Sequence, residues 1–179
     1  MPNLRPPLYD EAAVQPMRDD LIAVGFQEMR SPEEVEQVLS LKDDKITLTV
    51  INSVCGCAAG CARPGVMLAL QNSVIPDRLT TSFAGQDRDA VDKIREYLKG
   101  YTPSSPCMAL FKNGEPVFFL PRYEIEGRTF EDVAAILTNE FGKHCSRTGP
   151  SIPKEEYDQM IAFQACGSQI PMHKGVSIQ

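Results

Sequence analysis

The cysteines carry the most reactive side chains of this sequence, and half of them form one cluster. Cys55, Cys57 and Cys61 lie within seven positions, and the other three cysteines are spread along the chain as Cys107, Cys145 and Cys166. Closely spaced thiols can exchange with a disulfide, or they can bind a soft metal ion as thiolates. The cluster therefore predicts either thiol–disulfide chemistry or a metal site.

The rest of the sequence indicates where such chemistry would take place. Residues 1–10 contain three prolines and no apolar segment of the kind that a secretory signal needs. No apolar run exceeds five residues, whereas a membrane span needs about 20. The net charge is −6, without a basic cluster, which disfavours binding to nucleic acid. We expect a cytoplasmic protein with neither membrane nor nucleic-acid partners, where cysteines more often serve catalysis or metal binding than structural disulfides.

Strands and helices alternate along the chain around the cluster. Ile46, Leu48, Val50 and Ile51 predict a buried strand that runs directly into the cysteines. The other predicted elements are helices over 10–24, from Ser31, over 58–72, from Asp87 and after Thr129, and strands at 26–30, 79–84, 108–111 and 116–120. This order predicts an α/β fold, a central mixed sheet with helices on both faces, over residues 1–144. Residues 145–179 are interpreted as an extension with one short helix at about 154–164.

The position of Cys55 favours its thiolate form. It follows a strand and begins a helix, where unpaired backbone N–H groups and the helix dipole lower the pKa of a thiol. Cys57 is close enough to attack a mixed disulfide formed at Cys55, and Gly56 relieves the crowding between them. A Cys-x-Cys disulfide closes a small strained ring, so it should be easily reduced, which suits shuffling or oxidising chemistry.

Several motifs resemble known redox proteins. Residues 105–114, Ser-Pro-Cys-Met-Ala-Leu-Phe-Lys-Asn-Gly, are similar to the thioredoxin segment in which a cis-proline precedes a strand and a hairpin. More specifically, residues 8–145 resemble the bacilliredoxin family, thioredoxin-like proteins with Cys-Gly-Cys in place of Cys-x-x-Cys. The matching stretches are Asn52–Gly60, Ala62–Pro64, Phe83–Asp87, Arg95–Tyr97, Arg122 and Glu124–Gly127.

This resemblance implies a thioredoxin-like fold and a function. Pro106 would be the cis-proline that lies against the redox cysteines. The protein would remove bacillithiol from client proteins that carry it as a mixed disulfide, and it would have thiol–disulfide isomerase activity. Cys55 would be the nucleophile that receives bacillithiol, and Cys57 or a second thiol would resolve the adduct. The small thiol would be a co-substrate, with no tightly bound cofactor.

Four features depart from the family pattern: Cys61, Cys107 directly after the cis-proline, Tyr123 in place of a histidine, and the length of the chain beyond Cys145. Because of the first two, we treat Cys61 and Cys107 as candidate auxiliary site residues, together with Gly56. Cys145 and Cys166 are interpreted as structural or incidental.

Two other interpretations compete with exchange chemistry. Cys55, Cys57 and Cys61 could hold zinc or an iron–sulfur cluster with His144, Cys145 or another residue as the fourth ligand. The domain could also be a non-catalytic interaction module. Arg122 and Glu124 could form a structural ion pair, or they could help to bind a charged thiol.

Overall fold

The protein is represented by a computed structural model that describes residues 3–161. The helices are α1 (Glu11–Ile22), α2 (Pro32–Leu39), α3 (Arg63–Ala69, preceded by a π-helical turn at Ala58–Ala62), α4 (Arg88–Tyr97), α5 (Arg122–Ile125) and α6 (Phe130–His144). Residues 154–161 are also helical. The strands are β1 (Gln27–Glu28), β2 (Ile46–Asn52), β3 (Val74–Ile75), β4 (Arg78–Phe83), β5 (Cys107–Lys112), β6 (Glu115–Leu120) and β7 (Arg147–Thr148).

Five strands form a central mixed sheet in the order β1-β4-β2-β5-β6. The strands β1, β4 and β2 are parallel, while β5 runs antiparallel to β2 and β6 antiparallel to β5. This arrangement confirms the predicted α/β, thioredoxin-like fold. It also places the end of β2, from which the cysteine cluster follows, in the middle of the sheet.

Local sequence signals explain the main element boundaries. Ser31 and Glu34 form a capping box at the start of α2, and Thr129 and Asp132 form another at the start of α6. The turn between β5 and β6 has positive φ at Asn113 (53°) and Gly114 (84°). Because both central residues of a type I′ hairpin turn need positive φ, this Asn-Gly pair suits the connection.

The sheet separates two apolar cores. Alternate residues of β2 and β5 face opposite sides, as the pleat requires. One side packs against α1, α3 and α6, and we call it the α3 core. The other side packs against α2 and α4, and we call it the α4 core. Both faces of the sheet are therefore covered, as the alternating elements predicted.

The structure differs from the sequence-based elements in several places. The helix predicted over 58–72 begins with a π-helical turn and ends at Ala69. Pro64 has no N–H to donate and its ring needs space in the preceding turn, which the wider π-helical turn provides. The short elements β3, β7 and α5 were not predicted.

The first part of the predicted extension packs on the domain. β7 pairs with β3, and the Ser151 N–H donates to the Leu70 carbonyl oxygen at 2.9 Å. Tyr157, Met160 and Ile161 pack against the α3 core. Cys166 and the end of the short helix predicted at about 154–164 lie outside the described residues. Among the helices of residues 3–161, none has the length and apolarity to cross a membrane.

Candidate active site

Cys55 and Cys57 lie where the chain passes from β2 into the helix that leads to α3. The Cys55 carbonyl oxygen accepts hydrogen bonds from the N–H groups of Ala58 (3.1 Å) and Ala59 (3.2 Å), which close the first helical turn. Both cysteines are free thiols and partly exposed. Their sulfur atoms are 2.8 Å apart. The two thiols can therefore share a proton, and either can reach a disulfide formed at the other.

The surroundings shift the pKa values of the two thiols in opposite directions. Burial alone raises the pKa of Cys55, but hydrogen bonds from the Cys57 thiol, the Ser53 hydroxyl and the Ala58 N–H, together with the charge of Arg122, lower it below its ordinary value. Burial, the hydrogen bond donated to Cys55 and the negative charge on Cys55 raise the pKa of Cys57 to about 11. Within this pair, Cys55 is therefore the more acidic thiol and Cys57 the less acidic one.

A buried arginine lies beneath the turn that carries Cys55. Arg63, in α3, donates from Nη1 to the Asn52 Oδ1 (3.0 Å) and to the Ser53 carbonyl oxygen (2.9 Å). Its Nε donates to Asp20 Oδ2 at 3.3 Å. The Ser53 Oγ in turn accepts from the Cys55 N–H at 3.3 Å. These contacts join α1, the end of β2 and α3 directly below the thiols.

The loop before β5 borders the site from the neighbouring strand. The peptide bond between Ser105 and Pro106 is cis, as predicted. Cys107 pairs with Ile51, so Pro106 lies beside the end of β2. Arg122 fixes this loop to α5, because its backbone N–H donates to Ser104 Oγ (3.2 Å) and its Nη1 donates to the Ser105 carbonyl oxygen (3.3 Å).

Arg122 supplies an exposed positive charge to the site. Hydrogen bonding to Glu126 raises its pKa, and so do the negative charges of Cys57 and Cys55. The ion-pair partner of Arg122 is Glu126, the residue that follows α5; of the two interpretations of Arg122 and Glu124, the one that pairs them with each other is therefore wrong. Side chains four positions apart lie on the same face of a helix, whereas side chains two positions apart do not.

The two candidate auxiliary cysteines occupy different surroundings. The Cys61 thiol donates to the Arg128 carbonyl oxygen at 3.0 Å. Cys107 is only 2% exposed and packs in the α4 core, on the side of the sheet opposite to α3. Burial raises the pKa of Cys107 to about 12, which disfavours the thiolate that an exchange role would need. Burial likewise raises the pKa of Cys145 to about 12.

The geometry gives no support to the metal-site interpretation. Between residues 3 and 161, no group of three or more histidine, cysteine, aspartate or glutamate side chains is arranged to hold a metal ion. The Cys61 thiol is bonded to a backbone carbonyl of another loop. The arrangement at Cys55 and Cys57 is instead that of a dithiol, one member of which is activated.

Sequence reasoning did not assign a site role to Ser53 or Arg63. Arg63 entered only as part of the Ala62–Pro64 match, because its partners Asn52 and Asp20 are distant in sequence. A usable signal was present nonetheless. Arg63 lies eight residues after Cys55 and directly before Pro64, so the sequence places a cation near the start of the helix that follows the dithiol.

Comparison with known proteins gives a consistent result. The disulphide isomerase family matches residues 9–145. A bacilliredoxin of Geobacillus kaustophilus is 50% identical over 138 residues, which are 76% of this chain and 94% of the relative. A bacilliredoxin of Staphylococcus aureus is 44% identical over 138 residues, 77% of this chain and 94% of the relative.

Two solved thioredoxin structures are also similar to this chain. The thioredoxin of Malassezia sympodialis has 16% identity and a TM-score of 0.41, and the similarity covers 67% of this chain and 90% of that one. The oxidised thioredoxin of Plasmodium falciparum has 16% identity and a TM-score of 0.42, with 68% of this chain and 100% of that one covered.

Proposed function

Because the chain belongs to the disulphide isomerase family and is a thiol–disulfide oxidoreductase, we propose that it removes bacillithiol from proteins that carry it as a mixed disulfide. The client proteins and the small thiol are its partners, and bacillithiol is a co-substrate rather than a bound cofactor. One observation carries the assignment of roles: the sulfur atoms of Cys55 and Cys57 are 2.8 Å apart, and their pKa values are shifted in opposite directions.

In the first step, the Cys55 thiolate attacks the bacillithiol sulfur of the mixed disulfide. A new disulfide forms between Cys55 and bacillithiol, the old disulfide breaks, and the client protein leaves as a thiolate that takes a proton from solvent. No net oxidation occurs in this exchange. The lowered pKa of Cys55 increases the fraction of the protein that carries the attacking thiolate at a given pH.

In the second step, Cys57 resolves the adduct. Once Cys55 is in a disulfide it no longer carries the negative charge that raises the pKa of Cys57, so Cys57 loses its proton more easily. Its thiolate attacks the Cys55 sulfur, bacillithiol leaves as a thiol, and a Cys55–Cys57 disulfide remains. Two further equivalents of a low-molecular-weight thiol must then reduce this disulfide: the first forms a mixed disulfide with one of the two cysteines, and the second releases it as a low-molecular-weight disulfide.

Trapping the intermediate tests the proposal. In Cys57→Ser, the first step remains while the second is blocked, so a Cys55–bacillithiol adduct should accumulate after incubation with a bacillithiolated client protein. Intact-mass measurement and peptide mapping locate the adduct. Cys55→Ser is the matched control and should capture nothing.

Cys61 requires an additional variant, because it lies one helical turn beyond Cys57. If Cys57→Ser captures no adduct but the double variant with Cys61→Ser does, Cys61 is a second resolving thiol. If neither traps an adduct while Cys55 still reacts with alkylating agents, the exchange mechanism is wrong.

A further inference from the structure

We propose that Arg63 is a positioning residue for the dithiol, which holds the turn before Cys55 in place and supplies a buried positive charge that favours the Cys55 thiolate. This inference rests on the proposed function only in taking Cys55 as the nucleophile. Arg63 is 5% exposed, and its contacts are with the residues that precede Cys55 and not with the thiols themselves.

The hydrogen bonds of Arg63 fix the backbone from which Cys55 projects. One nitrogen, Nη1, binds the Asn52 side chain and the Ser53 carbonyl oxygen together. Asn52 Oδ1 also accepts from the Ser53 N–H at 2.8 Å, and Asn52 Nδ2 donates to the Met17 carbonyl oxygen at 3.0 Å. The end of β2 is thereby held from α3 and from α1. A planar guanidinium can serve several acceptors at fixed angles, which a lysine ammonium on a flexible chain cannot do in the same way.

The charge of Arg63 acts on the thiol as well. Burial lowers the pKa of Arg63, while Asp20 and the negative charge of Cys55 raise it. Arginine is not deprotonated in proteins. The interaction between Arg63 and Cys55 is reciprocal, so the buried cation also favours the Cys55 thiolate, although by less than Cys57, Ser53, Ala58 and Arg122 do. Asp20 offsets part of this charge through its ion pair with Arg63 at 3.3 Å.

Other charged groups also face the dithiol, and the test must separate them from Arg63. Arg122 and Glu126 approach from α5, and each of the two cysteines affects the other. Arg63 approaches from α3, and Asp20 acts through it from α1. Because Arg122 is exposed, salt should screen its contribution much more than that of buried Arg63.

The experiment measures the rate of Cys55 alkylation by iodoacetamide against pH in the full chain, with peptide mapping to assign the modified residue. Arg63→Gln should shift the profile to higher pH; if the pKa of Cys55 rises by about one unit, the thiolate fraction at pH 6 falls about tenfold, its greater basicity offsets about threefold of that, and the reaction slows by about threefold. Arg63→Lys keeps the charge but not the paired hydrogen bonds to Asn52 and Ser53, so its profile should lie between those of the parent protein and of Arg63→Gln. Asp20→Asn removes the offsetting negative charge, so its profile should shift in the opposite direction, to lower pH.

A merely structural role would give a different pattern. Arg18 provides the control, because it is a comparably buried arginine (2% exposed) that is paired with Asp87 and is not among the groups that chiefly shift the pKa of either thiol. Arg18→Gln should lower stability without moving the Cys55 profile. If Arg63→Gln does not fold, the profile of Asp20→Asn is compared with that of Arg63→Lys instead. The profile of Asp20→Asn should then lie at lower pH than that of Arg63→Lys. Unchanged profiles in all Arg63 and Asp20 variants that fold would overturn the inference. That result would leave the proposed function standing, because capture by Cys57→Ser tests it independently.

Discussion

The two thiols of the dithiol should differ in reactivity by about tenfold at neutral pH. The pKa of Cys57 is about 11, and that of Cys55 lies below its ordinary value of 9.0. A difference of at least about two pKa units gives Cys55 a roughly hundredfold larger thiolate fraction. A less basic thiolate is also a weaker nucleophile, and a Brønsted coefficient of about 0.4–0.5 cancels about tenfold of that advantage. The remaining factor, about ten, favours Cys55.

Limited alkylation of the reduced protein at pH 7 tests this ratio. The reagent must modify only a small share of the molecules, because a modified Cys55 no longer raises the pKa of Cys57. Fragment-ion mapping distinguishes the two positions, and labelling in concentrated urea should remove the preference. Cys107 serves as an internal negative control: it should stay unmodified in the native protein, since it is 2% exposed. Equal labelling, or preferential labelling of Cys57, would refute the assignment of the two roles.

Three further predictions concern single substitutions. Arg122→Gln should raise the pKa of Cys55, because an exposed cation that favours the thiolate is lost; the pH profile of alkylation should shift upward at low salt and much less at high salt. Cys107→Ala should retain exchange activity in a mixed-disulfide reduction assay, and a loss of turnover with the fold intact would contradict its placement in the α4 core. Gly65→Ala should destabilise the protein by about 1–3 kcal/mol in urea unfolding, since an added Cβ would lie 2.7 Å from the Val133 side chain. Its control, Gly142→Ala, meets no atom within 4 Å and should be neutral or stabilising.

The sequence was informative where the determinants are local. The two capping boxes, the Asn113-Gly114 turn and the position of Cys55 after a buried strand each depend on a few neighbouring residues, and the structure contains all of them. Two-residue strands such as β3 and β7 are too short to show a period, and the four residues of α5 complete barely one turn.

The charged groups around the dithiol and the location of Cys107 could not be predicted from neighbouring residues in the same way. Arg63 and Asp20 are 43 positions apart and meet only because α1 packs against α3. The location of Cys107 likewise depends on the register of β5 against β2, since a shift of one residue would turn its thiol to the other face. Such contacts follow from the assembled sheet and not from any short stretch of sequence.

The separation of the two cores has a consequence for engineering the protein. Among residues 3–161, the α4 core and the core that contains α3 have no member in common and lie on opposite faces of the five-stranded sheet. Effects of substitutions at sites without shared partners usually add to within about 0.5 kcal/mol. The α4 core can therefore be redesigned for thermal tolerance as a nearly independent module, and the gain should carry over to the whole domain while the helix that bears the reactive thiols keeps its own packing.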